Sequence, residues 1–168
     1  MKALKLFCNK IKFLLVFIFI INNAYAEIYT IEDTATVKTI NKIELSDGSE
    51  YAIISIIGHW KDSVGSFGNS ECYGTLEKKN NITLLLDTVC EKNSERGDLI
   101  TRGGRKKSLE EAGVGRIDII DARGGFKKLV GNSCKYAVIY FKKHIQYTTK
   151  CNIDDNIFNQ VLNDLENY

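Results

Sequence analysis

Residues 72–90, CYGTLEKKNNITLLLDTVC, begin and end on cysteine and hold a polar turn, Lys79-Asn80-Asn81, at their centre. Folded about Asn81, the segment sets Cys72 opposite Cys90 and Leu76 opposite Leu86. A ladder with one buried face needs this arrangement, because a slip of one residue would move every side chain to the other face. Residues 134–151, CKYAVIYFKKHIQYTTKC, repeat the design. Folding between Lys142 and Lys143 pairs Cys134 with Cys151, Val138 with Tyr147 and Tyr140 with Ile145. Four cysteines admit three pairings, and hairpin register favours 72–90 and 134–151. Each bridge would close a loop of roughly 17–19 residues, worth about 3 kcal/mol in the chain-entropy model. The functional alternatives are a zinc site or a redox pair. No CxxC occurs, and only His59 and His144 could complete a ligand set, so no metal and no cofactor is expected.

Outward from these hairpins the chain is a series of short β-prone runs separated by turn residues. They are Thr36 to Leu45, Tyr51 to Trp60, Ser70–Lys78, Ile82–Glu91, Leu99–Arg105, Val114–Asp121, Ser133–Phe141 and Ile145–Cys151. Asp47-Gly48 between the first two favours a tight hairpin turn. Tyr51 to Trp60 is apolar on both faces and is expected to be the most buried strand, and Lys61 to Asn69 reads as a loop. About eight consecutive strands imply an all-β, antiparallel meander, and eight can close into a barrel that leaves no exposed edge. The period then changes: Ile157, Phe158, Val161, Leu162 and Leu165 share one helical stripe, with Asp154 or Asp155 placed to cap it. A C-terminal helix over 154–166 is expected to pack on the barrel; a partner-binding helix is the alternative.

The N-terminus has the three parts of a secretory signal. Lys2, Lys5, Lys10 and Lys12 form a basic segment, Phe13 to Ile21 is wholly apolar, and Ala24-x-Ala26 suits signal peptidase. The apolar run is about half of the roughly 20 residues a spanning helix needs, so no stable membrane anchor is expected. Cleavage after Ala26 would remove residues 1–26, including Cys8, and leave 27–168 as one barrel domain in the periplasm or secreted. The segment carries four lysines and no acid, so its loss takes the net charge from +2 to −2. The basic balance therefore belongs to the leader, and a nucleic-acid partner has no whole-domain charge to support it.

Residues 112–131, AGVGRIDIIDARGGFKKLVG, are the most distinctive stretch. Gly113 and Gly115 read as points of close backbone approach, and Gly124-Gly125 as a turn with positive φ. Phe126, Leu129 and Val130 are expected to tuck beneath the next strand. No Gly-Lys-Ser/Thr follows, which argues against a phosphate loop. Gly115, Gly124, Gly125, Phe126 and Gly131 resemble a strand–turn–strand segment of the allene oxide cyclase-like barrels and their bacterial relatives. Arg123 stands where that family often has Gly-Thr-Gly. The resemblance implies an eight-stranded, lipocalin-like barrel. It carries over no cyclase residue.

No catalytic residue is assigned. His59, beside Trp60 and Asp62, could serve proton transfer, although a strand-end histidine that only hydrogen-bonds is the commoner case. His144 reads as solvated. Arg102, Arg105, Lys106 and Lys107 form a basic cluster that could meet phosphate or anionic lipid, with Glu110 and Glu111 close behind; a solvated loop is the plainer reading. Residues 93–98 carry carboxylates without the spacing of a calcium loop. Trp60, His59, Tyr136 and Tyr140 are the candidate ligand-binding residues, because aromatics could line a barrel mouth for a small apolar ligand. The expected function is a non-enzymatic small-ligand-binding or envelope interaction module. The alternatives are an isomerase or cyclase using the cavity, and a structural or inhibitory partner of another envelope protein.

Overall fold

The computed structural model describes residues 27–168, so residues 1–26, where the signal peptide is expected, and Cys8 with them lie outside the described residues. Eight antiparallel strands follow one another round a closed barrel: β1 (Glu27–Glu44), β2 (Glu50–Asp62), β3 (Phe67–Lys79), β4 (Ile82–Ser94), β5 (Gly97–Leu109), β6 (Ala112–Ala122), β7 (Ser133–Phe141) and β8 (His144–Ile153), with β8 returning to β1. A 3-10 helix (Gly124–Leu129) joins β6 to β7, and helix α1 (Asp155–Glu166) ends the chain.

Alternation decides what faces in. In β8, Ile145, Tyr147, Thr149, Cys151 and Ile153 are buried while His144, Gln146 and Lys150 are exposed. Cys72 lies opposite Cys90 and Cys134 opposite Cys151, and both pairs are disulfide-bonded inside the barrel. The registers Leu76 to Leu86, Val138 to Tyr147 and Tyr140 to Ile145 are as the hairpin reading has them. Asn80 and Asn81 take positive φ (50° and 62°), which a two-residue hairpin turn requires and asparagine tolerates.

One end of the barrel is plugged. Phe126 and Leu129 of the 3-10 helix, with Val161 and Leu165 of α1, meet Tyr29, Trp60, Leu99 and Ile153 in a single apolar cluster. Trp60 and Phe126 meet edge to face, with ring centres 6.0 Å apart. Asp154 caps α1 by accepting from the Asn156 amide at 2.9 Å. Gly124 has φ +62°, whereas Gly125 is a close-packing position whose Cα lies against Leu165.

The structure departs from the sequence reading at four places. β2 is not buried on both faces: Ile54, Ile56 and Trp60 point in, while Ile53 and Ile57 are exposed on the outer wall. A closed barrel buries only one face of each strand, however apolar the other is. β1 begins at Glu27 rather than Thr36, because Tyr29, Ile31 and Asp33 continue its inward alternation and pair with β8. The loop expected over Lys61 to Asn69 shrinks to a turn at 63–66, where Asp62 Oδ1 accepts from the Val64 and Ser66 amides. Val130 is exposed, and Phe126 and Leu129 join the plug against α1, β5 and β6 rather than tucking under β7.

Candidate functional site

The lumen has two apolar clusters with a polar belt between them. The belt is built from strands on opposite walls: Asp33 on β1, Ser70 on β3, Lys92 on β4 and Tyr147 on β8. Lys92 and Asp33 are each only 1% exposed, and the Lys92 ammonium donates to Asp33 Oδ1 across the lumen. The same nitrogen lies 3.3 Å from Ser70 Oγ and 3.3 Å from Tyr147 Oη. Burial pulls the Lys92 pKa down, and the carboxylate of Asp33 opposes it. Burial, with Asp33 nearby, pushes the Tyr147 hydroxyl well above its ordinary range. Asp33 Oδ2 and Thr149 Oγ1 are buried with no partner.

Beside this belt lies a cavity of about 40 Å³, lined by Lys92, Tyr136, Tyr140, Tyr147, the Cys72–Cys90 bridge and aliphatic side chains. At roughly 10–15 Å³ for each water, that is room for about three or four waters. Tyr136 crosses Tyr147 edge to face at 6.3 Å, and burial pushes its hydroxyl up to about 12. The glycines of β6 make this filling possible. A Cβ on Gly115 would stand 2.4 Å from the Tyr136 ring, and one on Gly113 would stand 2.1 Å from Arg105 Nη1.

Arg105 corrects the solvated-loop reading of the basic cluster: it is 5% exposed and lies 5.2 Å over the Tyr140 ring. Its Nη2 reaches the Glu110 carbonyl at 3.4 Å, while Nε and Nη1 are buried without a partner among the described residues. Arg102 faces out and holds Asp87 through two hydrogen bonds, of 3.1 and 2.7 Å.

The four candidate ligand-binding residues do not meet at one place. Tyr136 and Tyr140 line the cavity. Trp60 belongs to the lower apolar cluster and donates to the Asn93 carbonyl at 3.3 Å. His59 stands on the outer wall in a shallow depression with Phe67 and Gln146. Sequence reasoning missed Asp33 and Lys92, and it placed Arg105 in a basic cluster without seeing that it is buried. The signal was present in the period of two: Lys92 follows Cys90 by two residues, Asp33 falls between Ile31 and Ala35, and Arg105 keeps the parity of Leu99 and Thr101.

Chemically, the belt is a brace. Lys92, which lines the cavity, is engaged by the Asp33 carboxylate across the lumen. Comparison with known proteins finds no matching family model, no matching curated protein and no matching solved structure. The reading of function therefore rests on this chain's own geometry.

Proposed function

We propose that this protein is an exported, non-enzymatic interaction module that works through the outside of its barrel. The observation that carries the reading is the filled lumen: side chains leave about 40 Å³, too little for a carried apolar ligand. A cavity enzyme fares worse on the same ground, and His59 lies on the outer wall where it cannot serve as its base. Two disulfides support an oxidising compartment, consistent with the periplasm or the cell exterior. Kinship with the allene oxide cyclase-like barrels is part of the proposal, supported by the eight-stranded meander and the Gly115–Gly131 segment.

Native mass spectrometry of protein taken from its own envelope tests the reading. The expected mass is the oxidised polypeptide alone, and a stoichiometric small molecule retained in the lumen would overturn it. A second reading, a small anion held inside, is favoured only by the two unpartnered nitrogens of Arg105. Such an ion would appear as a discrete mass increment that Arg105→Gln removes.

A further inference from the structure

The end of the barrel away from the plug carries the turns Glu110-Glu111 and Lys142-Lys143, and the strand ends beside these charged turns present apolar side chains. Leu109 is 69% exposed, Val114 74%, Ile139 60% and Phe141 72%, an unusual set for side chains of this size. Registers arrange the outer face of β6–β8 in layers. Phe141 pairs with His144 at the tip, and Ile139 pairs with Ala112 and Gln146. Val114, Ala137 and Thr148 form the next layer, and Arg116, Lys135 and Lys150 the one behind it.

Lys135 therefore stands directly between two cations on neighbouring strands, a placement that costs stability in a sheet. Arg116 is held by Asp118 at 2.9 Å, but Lys135, Lys150 and Lys106 have no ion pair among the described residues. These residues line a surface groove that includes Val114 and Ala137 in its wall. Lys106, Lys107, Lys142 and Lys143 flank the apolar tips. Of the nearby acids, Glu110 is taken by Lys78 at 3.1 Å, which leaves Glu111. Asp87 lines the same groove but is held by Arg102 at 2.7 Å, while Glu71 and Glu91 lie on β3 and β4.

We propose that the outer face of β6–β8, from Phe141 to the Arg116–Lys135–Lys150 row, docks on a membrane surface that carries anionic lipid. This rests on the surface-acting reading above and names the partner. The face combines exposed apolar side chains with cations free of ion pairs among the described residues, the two features an anionic lipid surface recognises. The Lys142-Lys143 turn beyond Phe141 adds to the charge. Phe141, Ile139, Leu109 and Val114 enter about 5–10 Å into the headgroup–acyl boundary, and the lysine stems beside them reach back to the headgroups. The cationic row, set back from Ile139 by about 13 Å of strand, lies at the headgroups, within reach of long lysine stems. An acidic peptide would satisfy the cations and leave the four apolar side chains in water.

The test is co-sedimentation of the full, disulfide-bonded protein with phosphatidylcholine vesicles, with and without phosphatidylglycerol. Binding is expected only where phosphatidylglycerol is present, and raised salt should release it. The double charge reversal K135E/K150E should weaken partition by about thirtyfold, at roughly one fivefold step for each cation lost. I139S/F141S should weaken it comparably while leaving the salt dependence intact. Both pairs face outward, and unchanged circular dichroism and disulfide maps verify their folds; if either misfolds, salt release of the parent protein decides. No binding to phosphatidylglycerol vesicles overturns the proposal. So does equal binding to both vesicle types, or binding to soluble polyglutamate that matches the vesicles and ignores I139S/F141S. If vesicles fail while a photo-crosslinker at Ile139 captures a protein in the cell, the membrane inference falls and the interaction module stands.

Discussion

Lys92 and Asp33 sit on opposite walls of the barrel with almost no exposure, so neither charge can be left alone cheaply. Removing one partner of a buried pair costs about 3–5 kcal/mol, whereas replacing both with apolar side chains of similar size is often neutral or stabilising. Lys92→Met alone should therefore lower unfolding free energy by about 3–5 kcal/mol, and the double variant D33L/K92M should recover most of the loss. Urea titration of the two variants and the parent measures the difference. Should the double variant be no better than the single, the pair is not the brace it is taken to be here. The Lys92 position also shows how far sequence reaches at this scale. Its inward direction is legible from its spacing to Cys90, but its partner is not, because Asp33 lies 59 residues away and meets it only when the barrel closes.

At the scale of elements, the hairpins carry their own instructions. Paired cysteines, apolar residues in step and asparagines at the turn all agree on one register, so local chemistry and the final pairing coincide. The two bridges each span a short loop, 18 and 17 residues apart in sequence. C72A/C90A should lose about 3 kcal/mol and still fold to the same sheet, since β3 and β4 keep their full ladder. Denaturant midpoints together with far-ultraviolet circular dichroism check both halves of that expectation. Helix α1 was equally legible from its stripe, and Val161 and Leu165 are its buried residues. Boundaries were less so. β1 extends to Glu27 because β8 and β2 both pair with it, and a strand flanked on two sides can continue through residues of mixed propensity such as Thr30 and Glu32.

For the whole molecule, the pH dependence of stability follows from which carboxyls the fold favours as anions. Asp87, beside Arg102, Asp118, bonded by the Ser133 hydroxyl and then by Arg116, and Glu50, beside Lys42 and Lys78, are held below their ordinary pKa values. They add stability above those values and lose it as pH falls, though each is partly open to solvent and its share is small. Asp62 runs the other way. Burial raises its pKa above 3.8 despite the hydrogen bonds from Tyr29, Val64 and Ser66. A carboxyl raised on folding costs stability once ionised, and that cost disappears as pH falls from above the raised value towards 3.8. The parent should therefore gain stability relative to D62N between pH 7 and pH 4. Urea unfolding of both proteins at the two values reads the change; a constant gap would mean that Asp62 is not desolvated.

Alternation, turn chemistry and cysteine spacing by themselves determined that strands form, which hairpins pair, how the disulfides connect and where the helix lies, because each depends on neighbours within about twenty residues. The ion pair across the lumen, the burial of Arg105 and the exposure of half of β2 were decided only by closure of the barrel. Closure brings residues far apart in sequence onto one wall or across one lumen, and it fixes how much space their side chains leave.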